Sequence, residues 1–207
     1  MELADNTIER ICKLFRYLGT LEKNGIGYVS SRDLAKAIGA TEYTVRKDIS
    51  LLDAAGYTRK GYEVRSLKEE LGKKAGLSAR LKACIVGLGR LGTALADYKN
   101  FPDNGFEIVA GFDRSVNKLE RIQTGIDVFP DIRMKEVIRQ KAIELGIITV
   151  PAESAQEVAD KLVEAGILGI LNFSPVNIEV PAHVVHLNMD FTDALRFIAV
   201  KVGSKKK

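Results

Sequence analysis

The run Leu81-Lys82-Ala83-Cys84-Ile85-Val86, followed at once by Gly87-Leu88-Gly89-Arg90-Leu91-Gly92, constrains this chain more than any other feature. A short apolar run that ends in GxGxxG and opens a helical pattern reads as strand, tight turn and helix. Alone, that glycine pattern is weak. Here a second apolar strand, Glu107-Ile108-Val109-Ala110-Gly111-Phe112, leads into Asp113, 21 residues past the last glycine. Together these make a dinucleotide-binding fingerprint. Gly87 permits the tight turn, Gly89 lets the backbone approach a pyrophosphate, and Gly92 lets helix and strand pack closely. With Leu88, Arg90 and Leu91 they form the phosphate-side turn, whose helix start offers unpaired N–H groups. Asp113 is placed to accept hydrogen bonds from the adenosine ribose hydroxyls, which favours NAD over NADP. Arg114, beside it, can accommodate a 2′-phosphate, so NADP is disfavoured rather than excluded.

Downstream, strands alternate with helices. Helix 91–99, strand 106–112, helix 131–140, strand 143–149, helix 152–165, strand 167–172 and strand 183–189 predict a parallel sheet with helices on both faces. A last helix, 191–202, carries Phe191, Leu195, Phe197, Ile198 and Val202.

Residues 1–78 have a different pattern. Ile8, Ile11, Cys12, Phe15, Leu18 and Leu21 recur at helical spacing over 7–24. Ser30, with Asp33 three residues on, caps a second helix that stops at Gly39. Thr41 caps a third, 42–55. An aromatic and β-branched hairpin with a basic turn follows over 57–64, and Ser66 with Glu69 suggests a capping box for a fourth helix to about residue 74. This is the order of a winged helix-turn-helix. Its second motif helix would place Tyr43, Thr44, Arg46 and Lys47 toward the major groove. Ser30 and Ser31 at the start of helix two can meet a phosphate. The wing, Arg59-Lys60-Gly61-Tyr62, adds Arg59, Lys60 and Tyr62 as backbone or minor-groove contacts.

The net charge of +4 is unevenly placed. Residues 1–78 hold 14 Lys/Arg against 11 Asp/Glu, and the rest hold 17 against 16, three of them the tail Lys205-Lys206-Lys207. That balance is too weak to imply nucleic acid by itself. No stretch has the length of a membrane span, and the N-terminus lacks signal-peptide regions, so a cytoplasmic protein is expected. Two cysteines without a CxxC exclude a disulfide scaffold and a zinc site of usual spacing. Cys12 and Cys84 are expected in cores. His183 and His186 are assigned structural or surface roles. About 125 residues of sheet domain leave no room for a second catalytic domain and supply no evident proton donor, so the site is expected to bind a cofactor rather than turn it over.

A winged helix joined to a dinucleotide-binding sheet resembles the Rex family of redox-sensing transcriptional repressors. Val45-Arg46-Lys47-Asp48-Ile49-Ser50 is similar to that family's recognition helix. Gly87 to Tyr98 resembles its phosphate turn and following helix. Ile148-Thr149-Val150-Pro151, Gly169 to Val176 and Met189-Asp190-Phe191 resemble its cofactor-side loops. The resemblance implies an α/β protein with a winged-helix DNA-binding domain over 1–78, a Rossmann-like NAD(H)-binding domain over 79–190, and a domain-swapped C-terminal helix with a Lys tail over 191–207. It implies a homodimer that binds an inverted-repeat operator in double-stranded DNA, with NADH and NAD+ as ligands, NADH releasing the DNA, and no membrane. Thr149, Val150 and Pro151 would line the cofactor cleft, Asn172 is a further candidate, and Phe191 would lie beside a nicotinamide. Arg16, Tyr98 and Asp190 match the family's switch trio. Two segments depart from the family pattern. Arg114 to Glu120, including the cofactor candidate Lys118, lacks a second Asp, a Pro and a later Gly, and the wing is less glycine-rich. An NAD-dependent oxidoreductase and a regulator of another adenine ligand, such as coenzyme A, remain as alternatives.

Overall fold

The computed structural model describes residues 3–54, 59–115 and 124–205. Lys118 and the wing residues Gly56, Tyr57 and Thr58 lie outside the described residues. The chain forms two compact units, Met1–Ala79 and Arg80–Lys207.

In the first unit, α1 (Asp5–Lys23), α2 (Ser31–Ile38), α3 (Glu42–Leu51) and α4 (Val64–Lys74) surround one core. Ile11, Leu14 and Leu18 of α1 meet Leu34, Val45, Ile49, Leu67 and Leu71 there. The periodicity of α1 is as the sequence implies, but its buried stripe runs one residue away from Cys12, which is exposed. Ser30 caps α2, its hydroxyl accepting from the Asp33 N–H at 3.1 Å and donating to the Asp33 carboxylate at 2.6 Å. Gly39 ends that helix in the left-handed region at φ 70°.

Three expectations are corrected. Helix three stops at Leu51, not 55, because the Leu52 and Asp53 N–H groups tighten onto Ile49 and Ser50 and Asp53 turns left-handed at φ 44°. The strand Tyr62–Glu63 (β2) pairs antiparallel with Tyr28–Val29 (β1), a two-residue strand ahead of α2 that has no sequence signature. Helix four begins at Val64, directly after β2, since the Val64 N–H donates to the Gly27 carbonyl at 3.0 Å. Ser66 therefore lies inside the helix and caps nothing.

The second unit is a six-stranded, all-parallel sheet. Its strands are β3 (Leu81–Val86), β4 (Phe106–Asp113), β5 (Val128–Pro130), β6 (Leu145–Ile148), β7 (Gly169–Asn172) and β8 (Val185–Asn188), in spatial order β5-β4-β3-β6-β7-β8. The three-residue edge strand β5 is absent from the sequence reading. Helix 91–99 is shorter than expected, ending as α5 (Arg90–Ala96), and a separate turn of helix, α6 (Asn100–Asp103), follows it; the 131–140 helix divides into a 3₁₀ turn at Asp131–Arg133 and α7 (Met134–Lys141). Helix α8 (Ala152–Ala165) has the bounds expected, and α9 runs Phe191–Lys205.

Alternation along β3 divides the core between the two sheet faces. Cys84 and Val86 pack with Val137, Ile138, Ala155 and Leu162 of α7 and α8, while Ile85 packs on the other face with Leu88, Leu95 and Phe101. Burial pushes the Cys84 thiol up to about 12, as suits an inert core cysteine. The strand order reverses between β3 and β6, and a crevice outside the carboxyl ends of such strands is where this fold takes its ligands.

Candidate functional site

The phosphate turn sits at that reversal. Gly87 closes β3 with φ 96°, and a Cβ there would meet Val150 Cγ1 at 2.7 Å and the Thr149 backbone at 2.9 Å. A Cβ on Gly92 would lie 2.1 Å from the Gly87 carbonyl oxygen. Both glycines are therefore required by packing. Gly89 differs: nothing lies within 4 Å of where its Cβ would be. The protein leaves open the one glycine position through which a pyrophosphate would approach. An open cleft of ≈ 650 Å³ lies there, lined by Leu88, Gly89, Arg90, Thr93, Ala94 and Asp97. Leu88 contributes its backbone, since its side chain is buried, while Arg90 and Leu91 face outward.

Two side chains, Thr149 and Asp113, set the turn. Thr149, just after β6, donates its hydroxyl to the carbonyls of Gly87 at 2.7 Å and Val86 at 3.1 Å. The Leu88 N–H donates to Asp113 Oδ2 at 2.9 Å, and Ser115 N–H donates to Asp113 Oδ1 at 2.9 Å. The acid is buried and anchors the turn, with lone pairs left for a ribose hydroxyl. Arg114 turns away from it. Its Nη2 donates to both Glu157 oxygens at 2.8 Å.

The other cofactor-side candidates separate. Val150 is half-buried and its carbonyl accepts from Ser174 Oγ at 2.6 Å; Pro151 is exposed and precedes α8. Asn172 is fully buried. Its amide donates to Val176 O at 2.7 Å and Asn188 Oδ1 at 2.8 Å, and its Oδ1 accepts from Ser174 N–H. The structure thus gives Asn172 the work of joining the β7 and β8 loops; Ser174 and Asn188 were not recognisable from sequence as its partners. Phe191 is exposed and stacks on Phe173 at 5.7 Å.

In the winged-helix unit, Val45 is buried while Tyr43, Arg46 and Lys47 face outward on α3. The Arg46 guanidinium is oriented by neighbours. It donates to Ser31 Oγ at 3.0 and 3.1 Å and to Glu42 Oε2 at 3.1 Å. Arg32, the largest influence, together with Ser31 and Arg46 holds the Glu42 carboxyl below its usual range. Ser31 is 1% exposed, and its hydroxyl is taken up by Arg46 and Glu42. Thr44 closes the α3 cap, its N–H donating to Thr41 Oγ1 at 3.1 Å. Tyr62 is also displaced from its expected surface role, being 4% exposed in the core. Arg59 and Lys60 are exposed, and Lys60 lies 5.7 Å from the Tyr28 ring centroid. A pair unseen in the sequence braces α3 on α1: Arg10 grips the buried Asp48 carboxylate at 2.6 and 2.9 Å.

Of the switch candidates, Arg16 lies in the first unit and Tyr98 and Asp190 in the second. Arg16 is exposed on α1. Tyr98 accepts from Asn100 Nδ2 at 2.9 Å and meets Phe101 edge-on at 5.1 Å. Asp190 accepts from the Thr192 N–H and hydroxyl at 2.8 and 2.7 Å, and the backbone bond leads in holding its carboxyl below the usual range.

A winged helix with a presented recognition helix, joined in one chain to a sheet with a dinucleotide crevice, defines a ligand-responsive DNA-binding protein. Two family models match parts of the chain: a putative DNA-binding protein N-terminus over residues 2–50 and a CoA binding domain over 79–176. The redox-sensing transcriptional repressor Rex of Desulfitobacterium hafniense is 37% identical over 206 residues, covering 100% of this chain and 98% of the relative. The crystal structure of RSP in complex with β-NADH superposes with a TM-score of 0.86 at 31% identity, covering 100% of this chain and 97% of that one. RSP in complex with β-NAD+ and operator DNA gives 0.87 at 31% identity, covering 100% and 95%. The chain belongs to the Rex family of redox-sensing transcriptional repressors.

Proposed function

We propose that the chain is a homodimeric repressor that senses the NADH/NAD+ ratio at the Gly87–Gly92 turn and reports it through α3. The observation that carries this reading is that RSP, alike over the full chain, has been captured both with NADH and with NAD+ plus operator DNA. The open approach at Gly89 and the anchored Asp113 support a pyrophosphate and ribose at the crevice. Thr149, Val150, Pro151 and Phe191 would line the nicotinamide side. Tyr43, Thr44, Arg46 and Lys47 would read the major groove, and Arg59 and Lys60 the flanking backbone.

Dimerisation by exchange of α9 fits the surfaces. Leu195, Phe197, Ile198 and Val200 are exposed along α9. On the sheet, an apolar hollow of ≈ 460 Å³ is lined by Phe101, Phe106, Ile147, Leu171, Val185 and Leu187, among others. Apolar surface of this extent usually marks an interface. In the dimer, Arg16, Tyr98 and Asp190 would make and break a charge-assisted contact between two arrangements. The protein acts as a binder rather than an oxidoreductase, in keeping with relatives that are named as repressors.

A DNA mobility shift on inverted-repeat promoter fragments tests the reading. Retention of the complex with NAD+ and its release by NADH are expected. Release by coenzyme A and not by NADH, or steady NADH oxidation with a small carbonyl compound, would overturn it.

A further inference from the structure

Beside the anchored Asp113, Arg114 enters a closed network of two cations and two carboxylates. Its Nη2 meets both Glu157 oxygens at 2.8 Å and its Nε lies 3.7 Å from Asp131 Oδ2. Lys161 bridges the same two acids, at 2.9 Å to Glu157 and 3.2 Å to Asp131. The residue after the ribose-side acid is where this fold commonly places an Arg that accepts a 2′-phosphate. In this chain that Arg is present, but it points along α8.

We propose that Glu157 is a selectivity latch: by holding Arg114 onto α8, it denies a 2′-phosphate its counter-ion and so enforces NAD(H) over NADP(H). The proposal rests on the dinucleotide reading above and names a determinant that lies outside the fingerprint. Geometry carries it. An exposed ion pair alone is weak, but Nη2 on Glu157 and Nε facing Asp131, with Lys161 bridging the two acids, make a network that holds the guanidinium in one direction. Glu157 raises the Arg114 pKa more than any other neighbour does, and Arg114 leads in lowering that of Glu157, so each is the other's principal partner. With both cations already matched by carboxylates, Asp113 leaves the ribose edge negative. A 2′-phosphate would enter against that charge while Arg114 and Lys161 are already held by carboxylates. Removing Glu157 would leave Arg114 without its principal acceptor and let it rotate toward the ribose.

The test titrates NADH and NADPH into the full-length protein and its E157A, E157Q and R114A/E157A variants, following nicotinamide fluorescence. The ratio of NADPH to NADH dissociation constants is expected to fall roughly tenfold in E157A, the equivalent of one charge-assisted contact. In E157Q, which keeps a neutral acceptor, it should fall less. In R114A/E157A the gain should vanish. A ratio unchanged in E157A, or a gain that survives loss of Arg114, would overturn the latch while leaving NADH binding intact. A native protein that binds neither dinucleotide would overturn the dinucleotide reading and the latch with it.

Discussion

The Leu88 N–H donates to Asp113 Oδ2 at 2.9 Å, so the phosphate turn after β3 and the acid that ends β4 form one unit. Asp113 therefore shapes the turn, and in the proposed complex it would also face the ribose. Asp113→Ala should leave a buried N–H without an acceptor, at a cost of roughly 1–3 kcal/mol, and weaken NADH binding. Asp113→Asn retains one acceptor oxygen and should lose less stability than Ala, while still weakening NADH. Apo DNA binding should be unchanged in both. Thermal unfolding paired with NADH titration checks this; equal stability of Ala and Asn variants would contradict the anchoring role.

Gly89 and Gly92 should respond differently to the same substitution. Gly89→Ala meets open space, so the fold should keep its melting temperature while NADH affinity falls, since the added methyl occupies the approach path. Gly92→Ala drives a Cβ to 2.1 Å from the Gly87 carbonyl and should destabilise the sheet unit outright. Parallel calorimetry and NADH titration separate the two. A Gly89→Ala protein with native NADH affinity would remove the pyrophosphate from this position.

On α3, Arg46 and Lys47 should differ in kind. Arg46→Ala should lose about 1–3 kcal/mol of discrimination between operator and mismatched DNA, with NADH binding intact. Ser31→Ala and Glu42→Ala should reproduce part of that loss, because they orient the guanidinium from behind. Lys47→Ala should weaken all sequences alike and reduce the salt slope by roughly 0.9 if it meets a phosphate. Binding isotherms at several salt concentrations, on operator and scrambled DNA, give both numbers.

The Arg10–Asp48 bridge supports the same helix. Asp48 has a side chain only 2% exposed and Arg10 one 26% exposed. Arg10→Ala strands a buried carboxylate and should cost about 3 kcal/mol in denaturant unfolding of the winged-helix unit. Adding Asp48→Asn to Arg10→Ala should recover part of the loss, since the stranded charge is gone. Loss of less than about 0.5 kcal/mol in Arg10→Ala would place this pair among ordinary surface bridges.

These pairs mark the limit of what the sequence discloses. The phosphate turn was legible because its meaning lies in local spacing: strand, glycines, helix and a following acid. Helix α8 was legible because its 14 residues repeat their apolar stripe without interruption. Strands β1 and β5 were not, because two or three residues carry no periodicity and are held by partners distant in sequence. Ser66 and Glu69 imitated a cap, but Gly27, 37 residues before Val64, decided where α4 begins. Tyr62 read as a wing aromatic because burial of a single ring depends on the strand beside it. Arg10–Asp48 and Arg114–Glu157 join residues 38 and 43 positions apart, so no spacing rule reaches them.

In the proposed mechanism, NADH and operator DNA bias one equilibrium in opposite directions. Titrating NADH into the protein with and without saturating operator tests it most directly. Linkage requires DNA to weaken NADH by the same factor by which NADH weakens DNA, roughly 5–150-fold for a coupling of about 1–3 kcal/mol. That reciprocal loss of affinity is expected on both sides of the cycle. Equal NADH affinity with and without operator would contradict it.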